Sequence, residues 1–105
     1  MSKSQTTTNP DWLHNPHVGE MLLTEFMEPL GLNAAALALL LGVPASRLQR
    51  VVDGTSPLDG NLDLRLARYF GVSEGFFLRL QVNYELLEAK RALNGSLDRI
   101  VPRAA

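Results

Sequence analysis

One stretch governs what this chain can become. Residues 34–53 read AAALALLLGVPASRLQRVVD. Ala38 carries nothing beyond Cβ, so a second helix can approach closely there. Gly42 follows four residues later, where the chain must turn sharply and a left-handed backbone is open to glycine. Leu48 and Val51 lie six and nine residues past Gly42, three apart and therefore on one face of the next helix. Leu37, Leu41 and Val43 complete the inward set. A small residue, a turn glycine and a hydrophobic pair at these offsets predict two short helices packed at a steep angle, a helix-turn-helix.

The flanks continue in helical period. Val18, Leu22 and Phe26 fall four apart, with Leu23, Met27 and Leu30 beside them, until Pro29 and Gly31 end the run. Asn33 is a good N-cap for the segment that stops at Gly42. Pro44 opens a helix to about Asp53, followed by Gly54 as the expected left-handed residue. After the loop TSPLDG, Asp59 or Asn61 caps LDLRLARYF, which Gly71 ends. Ser73 is the expected cap of a fifth helix, from Glu74 to about Leu93, before Asn94-Gly95 breaks it. A short strand is expected at Arg99–Val101. With no internal repeat and no strand set able to build a sheet core, the expectation is an all-α, five-helix domain. Residues 1–16 read as a flexible N-terminal lead, residues 17–93 as the folded domain and residues 94–105 as a tail.

Composition narrows the function classes. A chain of 105 residues, 46% hydrophobic and 20% charged, suits one ordinary globular domain. It contains no cysteine, which excludes disulfides, thiolate metal sites and cysteine nucleophiles. The longest apolar run, Ala34 to Leu41, is far short of the roughly 20 residues that span a bilayer. The N-terminal residues carry one lysine and no apolar stretch, unlike a signal peptide, so the expected location is the cytoplasm. The formal net charge of −1 argues against coating nucleic acid through sheer positive charge. It leaves room for a specific binder with one basic surface: between residues 44 and 70, Arg47, Arg50, Arg65 and Arg68 outnumber Asp53, Asp59 and Asp63.

The outward face of the second helix in the helix-turn-helix then becomes informative. Ala45, Ser46, Gln49 and Arg50 begin that helix and project away from Leu48 and Val51. Residues so placed reach base edges in the major groove. Glutamine can bond adenine bidentately and arginine can bond guanine. Arg47 lies beside them, within reach of a phosphate. These five are the candidate DNA-binding residues.

The fifth helix carries a second message. At about 100° per residue, Phe76, Leu80, Tyr84 and Leu87 cluster on one side, with Phe77 at its edge. Leu78, Val82, Leu86, Ala89 and Leu93 cluster on nearly the opposite side. A surface helix of a monomer needs one apolar stripe. The second predicts a homodimer interface, with helix one as the alternative cover. A twofold dimer would require an operator with inverted-repeat half-sites.

Other constellations weigh less. His14 and His17, with Asp11 and Glu20 nearby, resemble a metal-ligand set, but Pro16 between them opposes a shared helix face, so no metal is expected. Glu20 suits the first turn of a helix through the helix dipole. Arg65 and Arg68 either touch phosphates or pair with Asp63 and other surface acids. Tyr69, Phe70, Phe76 and Phe77 are expected in the core. No Gly-rich phosphate loop, HExxH or nucleophile elbow is present, so neither enzyme activity nor a cofactor is expected.

Three stretches together resemble the HigA-type antitoxins of the Cro/cI-like, or XRE, helix-turn-helix class, with its lambda-repressor-like fold. They are HVGEMLLTEFMEPLGLN, the run from Gly42 to Gln81 that includes RLARYFG, and NYELLEAKRAL. The resemblance implies a homodimeric repressor that binds its own promoter and neutralises an RNA-cleaving, RelE-like toxin. It makes Trp12, Leu13 and helix one candidates for the grip on that toxin. Val18 departs from the proline usual in the family, at little cost in a helix start. Thr55 and Ser56 stand where the family often has Lys or Arg, and Asp53 adds a negative charge near the DNA side. Both departures weaken the expected hold on phosphates and make binding depend on dimerisation. The rival expectations are a solitary repressor without a toxin, and an interaction module that has lost DNA binding.

Overall fold

The computed structural model describes residues 14–104. Five helices and no strand form the fold among them. Helix α1 begins as an α-helix at Val18–Met21, widens into a π-helix at Leu22–Met27 and closes with a 3-10 turn at Glu28–Leu30. Helices α2 (Ala34–Leu41), α3 (Ala45–Val52), α4 (Gly60–Phe70) and α5 (Phe76–Leu93) follow. No helix of the described residues is long and apolar enough to cross a membrane.

The π stretch changes which residues of α1 face inward. A four-residue period places Phe26 below Val18 and Leu22. Bonds of the i→i+5 type, such as Glu28 N–H to the Leu23 carbonyl, put an extra residue into the turn. Met27 therefore takes the fully buried position, while Phe26 is half-buried. Phe26 packs edge-on against Phe70 and Phe77, each with ring centroids 5.1 Å away.

The core gathers one inward stripe from each helix. Leu37, Ala38 and Leu41 of α2 meet Leu48, Val51 and Val52 of α3; Leu62 and Leu66 of α4 and Phe77 of α5 close the other side. Phe70 and Phe76 are half-buried against this cluster. Tyr69, expected inside, is 41% exposed. It follows Arg68 on the outer side of α4, its ring at a T-shaped angle to Phe70 with centroids 5.0 Å apart.

Two further expectations are corrected. Helix α5 starts at Phe76 with Gly75 as its N-cap, two residues after Ser73. The Ser73 hydroxyl instead accepts from Arg79 Nη2 at 2.8 Å. The helix start is satisfied by Asp63 of α4, whose carboxylate accepts from Gly75 N–H (2.6 Å), Phe77 N–H (2.9 Å) and Leu78 N–H (3.0 Å). The tail forms a 3-10 turn at Ser96–Arg99, with no strand at residues 99–101. A lone strand would leave its backbone unpaired, whereas the turn bonds Asp98 N–H to Gly95 O and Ile100 N–H to Leu97 O.

Candidate nucleic-acid interface

The α2–α3 corner is built as its spacing predicts. Gly42 adopts φ 74°, ψ 34°, the left-handed turn. Val43 N–H then bonds back to the Ala38 carbonyl at 3.0 Å. Ala38 is 1% exposed, so its small side chain is what lets the two helices meet. Pro44, with extended ψ of 137°, starts α3 without a side-chain cap. Arg65 of α4 secures the corner from outside, donating from Nη1 to the Leu41 carbonyl at 2.8 Å and from Nε to Asn61 at 2.9 Å. It thus serves the C-terminus of α2 and does not pair with Asp63, which is buried. Arg68 is exposed, with no ion pair among the described residues.

This corner fixes how α3 is presented. Leu48, Val51 and Val52 anchor it inward. Ala45, Ser46, Gln49 and Arg50 are exposed, and Arg47 is half-buried at the edge. All five candidate residues therefore share the outer side of one helix of 8 residues. At its far end α1 presses on α3 through Gly19. A Cβ there would lie 1.9 Å from the Val51 carbonyl oxygen and 2.7 Å from that of Val52. His17 caps α1, its Nδ1 accepting from Glu20 N–H at 3.2 Å. His14 contacts the Glu20 carboxylate at 2.9 Å. The two imidazoles thus have separate roles around Glu20.

Two of the outward side chains have acidic partners within the chain. Gln49 Nε2 donates to Asp53 Oδ1 at 2.8 Å. Arg47 Nη2 pairs with Asp59 Oδ1 at 2.6 Å. Asp59 is also the N-cap of α4, accepting from Leu62 N–H at 2.9 Å. The Leu62 N–H foremost, and then the Arg47 guanidinium, hold the Asp59 carboxyl below its ordinary value. Arg50 is exposed, with no side-chain hydrogen bond or ion pair among the described residues, while its carbonyl accepts from Thr55 N–H (2.9 Å), Ser56 N–H (3.2 Å) and the Thr55 hydroxyl (3.2 Å). Thr55 thus ties the turn after α3 back to the helix.

Sequence reasoning missed the clamps behind this face. Gln81 of α5 pairs both ends of its amide with the backbone of Leu58: its Oε1 accepts at 2.7 Å and its Nε2 donates at 2.9 Å. That holds the loop between α3 and α4. No spacing rule joins residues 23 apart. Asp63 did leave a signal, since it lies on the inward stripe beside Leu62 and three before Leu66. Asn15 ties the chain ahead of α1 to α5, donating to Tyr84 O (3.1 Å) and Glu88 (3.0 Å). Trp12 and Leu13 lie outside the described residues, as does most of the N-terminal lead.

The second stripe of α5 is open. Val82 is 48% exposed and Leu86 53%, with Ala89 and Leu93 also exposed. Leu78 differs: it is half-buried and packs on the core of its own chain. Helix α1 does not cover the rest.

Comparison with known proteins places this architecture. No family model matches the chain. Virulence-associated protein I of Dichelobacter nodosus is 37% identical over 86 residues, 82% of this chain and 79% of that protein. A HigA antitoxin of Vibrio cholerae is 33% identical over 73 residues, 70% of this chain and 69% of its own length. The chain belongs to the HigA family of XRE-class helix-turn-helix proteins. Among solved structures, a Pseudomonas aeruginosa protein in complex with its operator DNA superposes on this HigA-family chain with a TM-score of 0.80. The two are 32% identical, and the match covers 88% of this chain and 98% of that one. The helix-turn-helix described above thus lies within an architecture that this HigA-family chain shares with an operator-bound relative.

Proposed function

We propose that the chain is a sequence-specific DNA-binding autorepressor and the antitoxin of a toxin–antitoxin pair, acting in the cytoplasm by binding alone. One observation carries this reading. The exposed start of α3 presents Ser46, Gln49 and Arg50 from a rigid corner, in the architecture that a structural relative uses in complex with its operator. Gln49 and Arg50 read bases, Arg47 and the loop after α3 lie toward phosphates, and Ala45 allows close approach.

The exposed stripe of Val82, Leu86, Ala89 and Leu93, with Leu78 at its inner end, joins two copies. Twofold pairing would present two α3 helices about 34 Å apart to inverted half-sites. Family membership supports the toxin half of this reading, in which the partner is an RNA-cleaving, RelE-like toxin. Binding of the full-length chain to a duplex from its own upstream region, read by fluorescence anisotropy, tests the DNA half. Co-purification with the product of an adjacent small basic reading frame tests the toxin half. Specific binding without a toxin would favour a solitary repressor. The internal pairing of Arg47 and Gln49 favours a second reading, an interaction module without DNA binding, and absent duplex binding beside toxin capture would establish it.

A further inference from the structure

Gln49 has a fixed orientation, and its cause is a residue with no place in the base-reading set. Its amide nitrogen donates to Asp53, one helical turn on, at 2.8 Å. A carboxylate only accepts, so this contact dictates which end of the amide turns toward Asp53. An unrestrained glutamine would present its two ends interchangeably. Here the carbonyl oxygen and the second amide hydrogen remain for the groove, the acceptor and donor that match adenine N6–H and N7.

Asp53 is itself held in place. Its backbone N–H bonds the Gln49 carbonyl at 2.8 Å, and the next turn is tied down by the bonds from residues 55 and 56 to the Arg50 carbonyl. No cation pairs with Asp53 among the described residues. Its charge therefore remains near the DNA side, where it repels phosphates of any sequence.

We propose that Asp53 is a positioning residue for base recognition: it locks the Gln49 amide in one orientation, sharpening discrimination at the base pair beneath it while lowering affinity for all DNA. The proposal rests on the DNA-binding reading above. The two effects are separable, because one needs an acceptor oxygen and the other needs the charge.

The test uses the full-length chain, its Gln49→Ala, Asp53→Ala and Asp53→Asn variants, and a pool of duplexes randomised over about three helical turns. Sequencing the bound fraction gives base preference at each position, and anisotropy gives affinity for the unselected pool. Gln49→Ala should flatten one position per half-site. Asp53→Ala should weaken the preference at that same position by roughly fivefold or more, leave the others, and raise affinity for the pool. Asp53→Asn removes the charge and keeps an acceptor oxygen beside a new donor, so it should raise pool affinity as Asp53→Ala does while retaining more of the preference at that position than Asp53→Ala. The Asp53 side chain is exposed and bonds no backbone group among the described residues, so both variants should melt as the parent does. Equal gains in affinity from Asp53→Ala and Asp53→Asn, with every preference intact, would reduce Asp53 to a mere charge and overturn the proposal. A parent motif untouched by Gln49→Ala would also overturn it, leaving the repressor reading in place. A parent that selects no motif would overturn both.

Discussion

Asp63 is 1% exposed, and its two carboxylate oxygens accept three backbone N–H groups at the start of α5. Ala at this position would strand the buried Phe77 N–H and deprive the part-buried Gly75 and Leu78 N–H groups of their acceptor. Each unsatisfied buried group costs about 1–3 kcal/mol, so Asp63→Ala should destabilise on the order of 3 kcal/mol, measured by urea unfolding. Asp63→Asn keeps one acceptor oxygen and should lose less. Equal losses would show that packing volume, not the hydrogen bonds, sets the role of the site. Gly19 makes a different single-residue demand. A methyl group there meets backbone carbonyls that have no rotamer to change, so Gly19→Ala must separate α1 from α3. Overpacking of this kind costs roughly 1–3 kcal/mol. A thermal melt matching the parent would contradict the close approach. Read from the sequence, Asp63 counts among the surface acids, although it falls on the apolar stripe of its helix and is buried. What a stripe does not give is the partner, since the donors come from the next helix's backbone.

Between elements, the pairing of α3 with α4 gives a pH signature. Asp59 caps α4 and pairs with Arg47, and both contacts favour its charged form. A carboxyl depressed in the folded state contributes stability that is present above its unfolded value, ordinarily 3.8, and is lost as pH falls through the lower folded value. Asp59→Ala should therefore melt lower than the parent at pH 7, with the gap closing below about pH 3.8. A gap that persists undiminished in acid would remove the charge from the explanation. The α2–α3 corner is the element most legible in the sequence. Ala38, Gly42, Leu48 and Val51 all occupy their expected places, because close packing leaves few residue types that fit. Ala38→Leu should accordingly cost more than Leu37→Met, about 1–3 kcal/mol against under about 1.5. A reversed order in thermal melts would contradict the close contact. The π stretch of α1 and the start of α5 were not legible. Both are set by what the neighbouring helices require, not by local preference: Met27 is drawn into the core, and Asp63 takes over the cap expected from Ser73.

At the scale of the whole molecule, the stripe of α5 is an apolar surface that a single copy of the chain leaves open. Val82 and Leu86 are about half exposed, and replacing both with Asp should leave the helix intact while placing charges in any apolar interface. The double variant should sediment as a monomer with unchanged helicity and lose operator binding at concentrations where the parent still binds. A variant that stays dimeric would move the interface elsewhere; one that unfolds would assign the stripe to the monomer core. The two-stripe pattern was readable from the sequence, yet Leu78 turned out to serve its own core, since a periodicity alone does not mark where a stripe curves inward. In the proposed function, α3 reads DNA and two copies of it do so together. A hydroxyl-radical footprint of the full-length chain on its own upstream region tests this most directly. The expected result is two protected patches on inverted half-sites, centred about one helical turn apart, both lost on combining Gln49→Ala with Arg50→Ala. Protection that survives the double substitution in a folded protein, or a single patch, would contradict it.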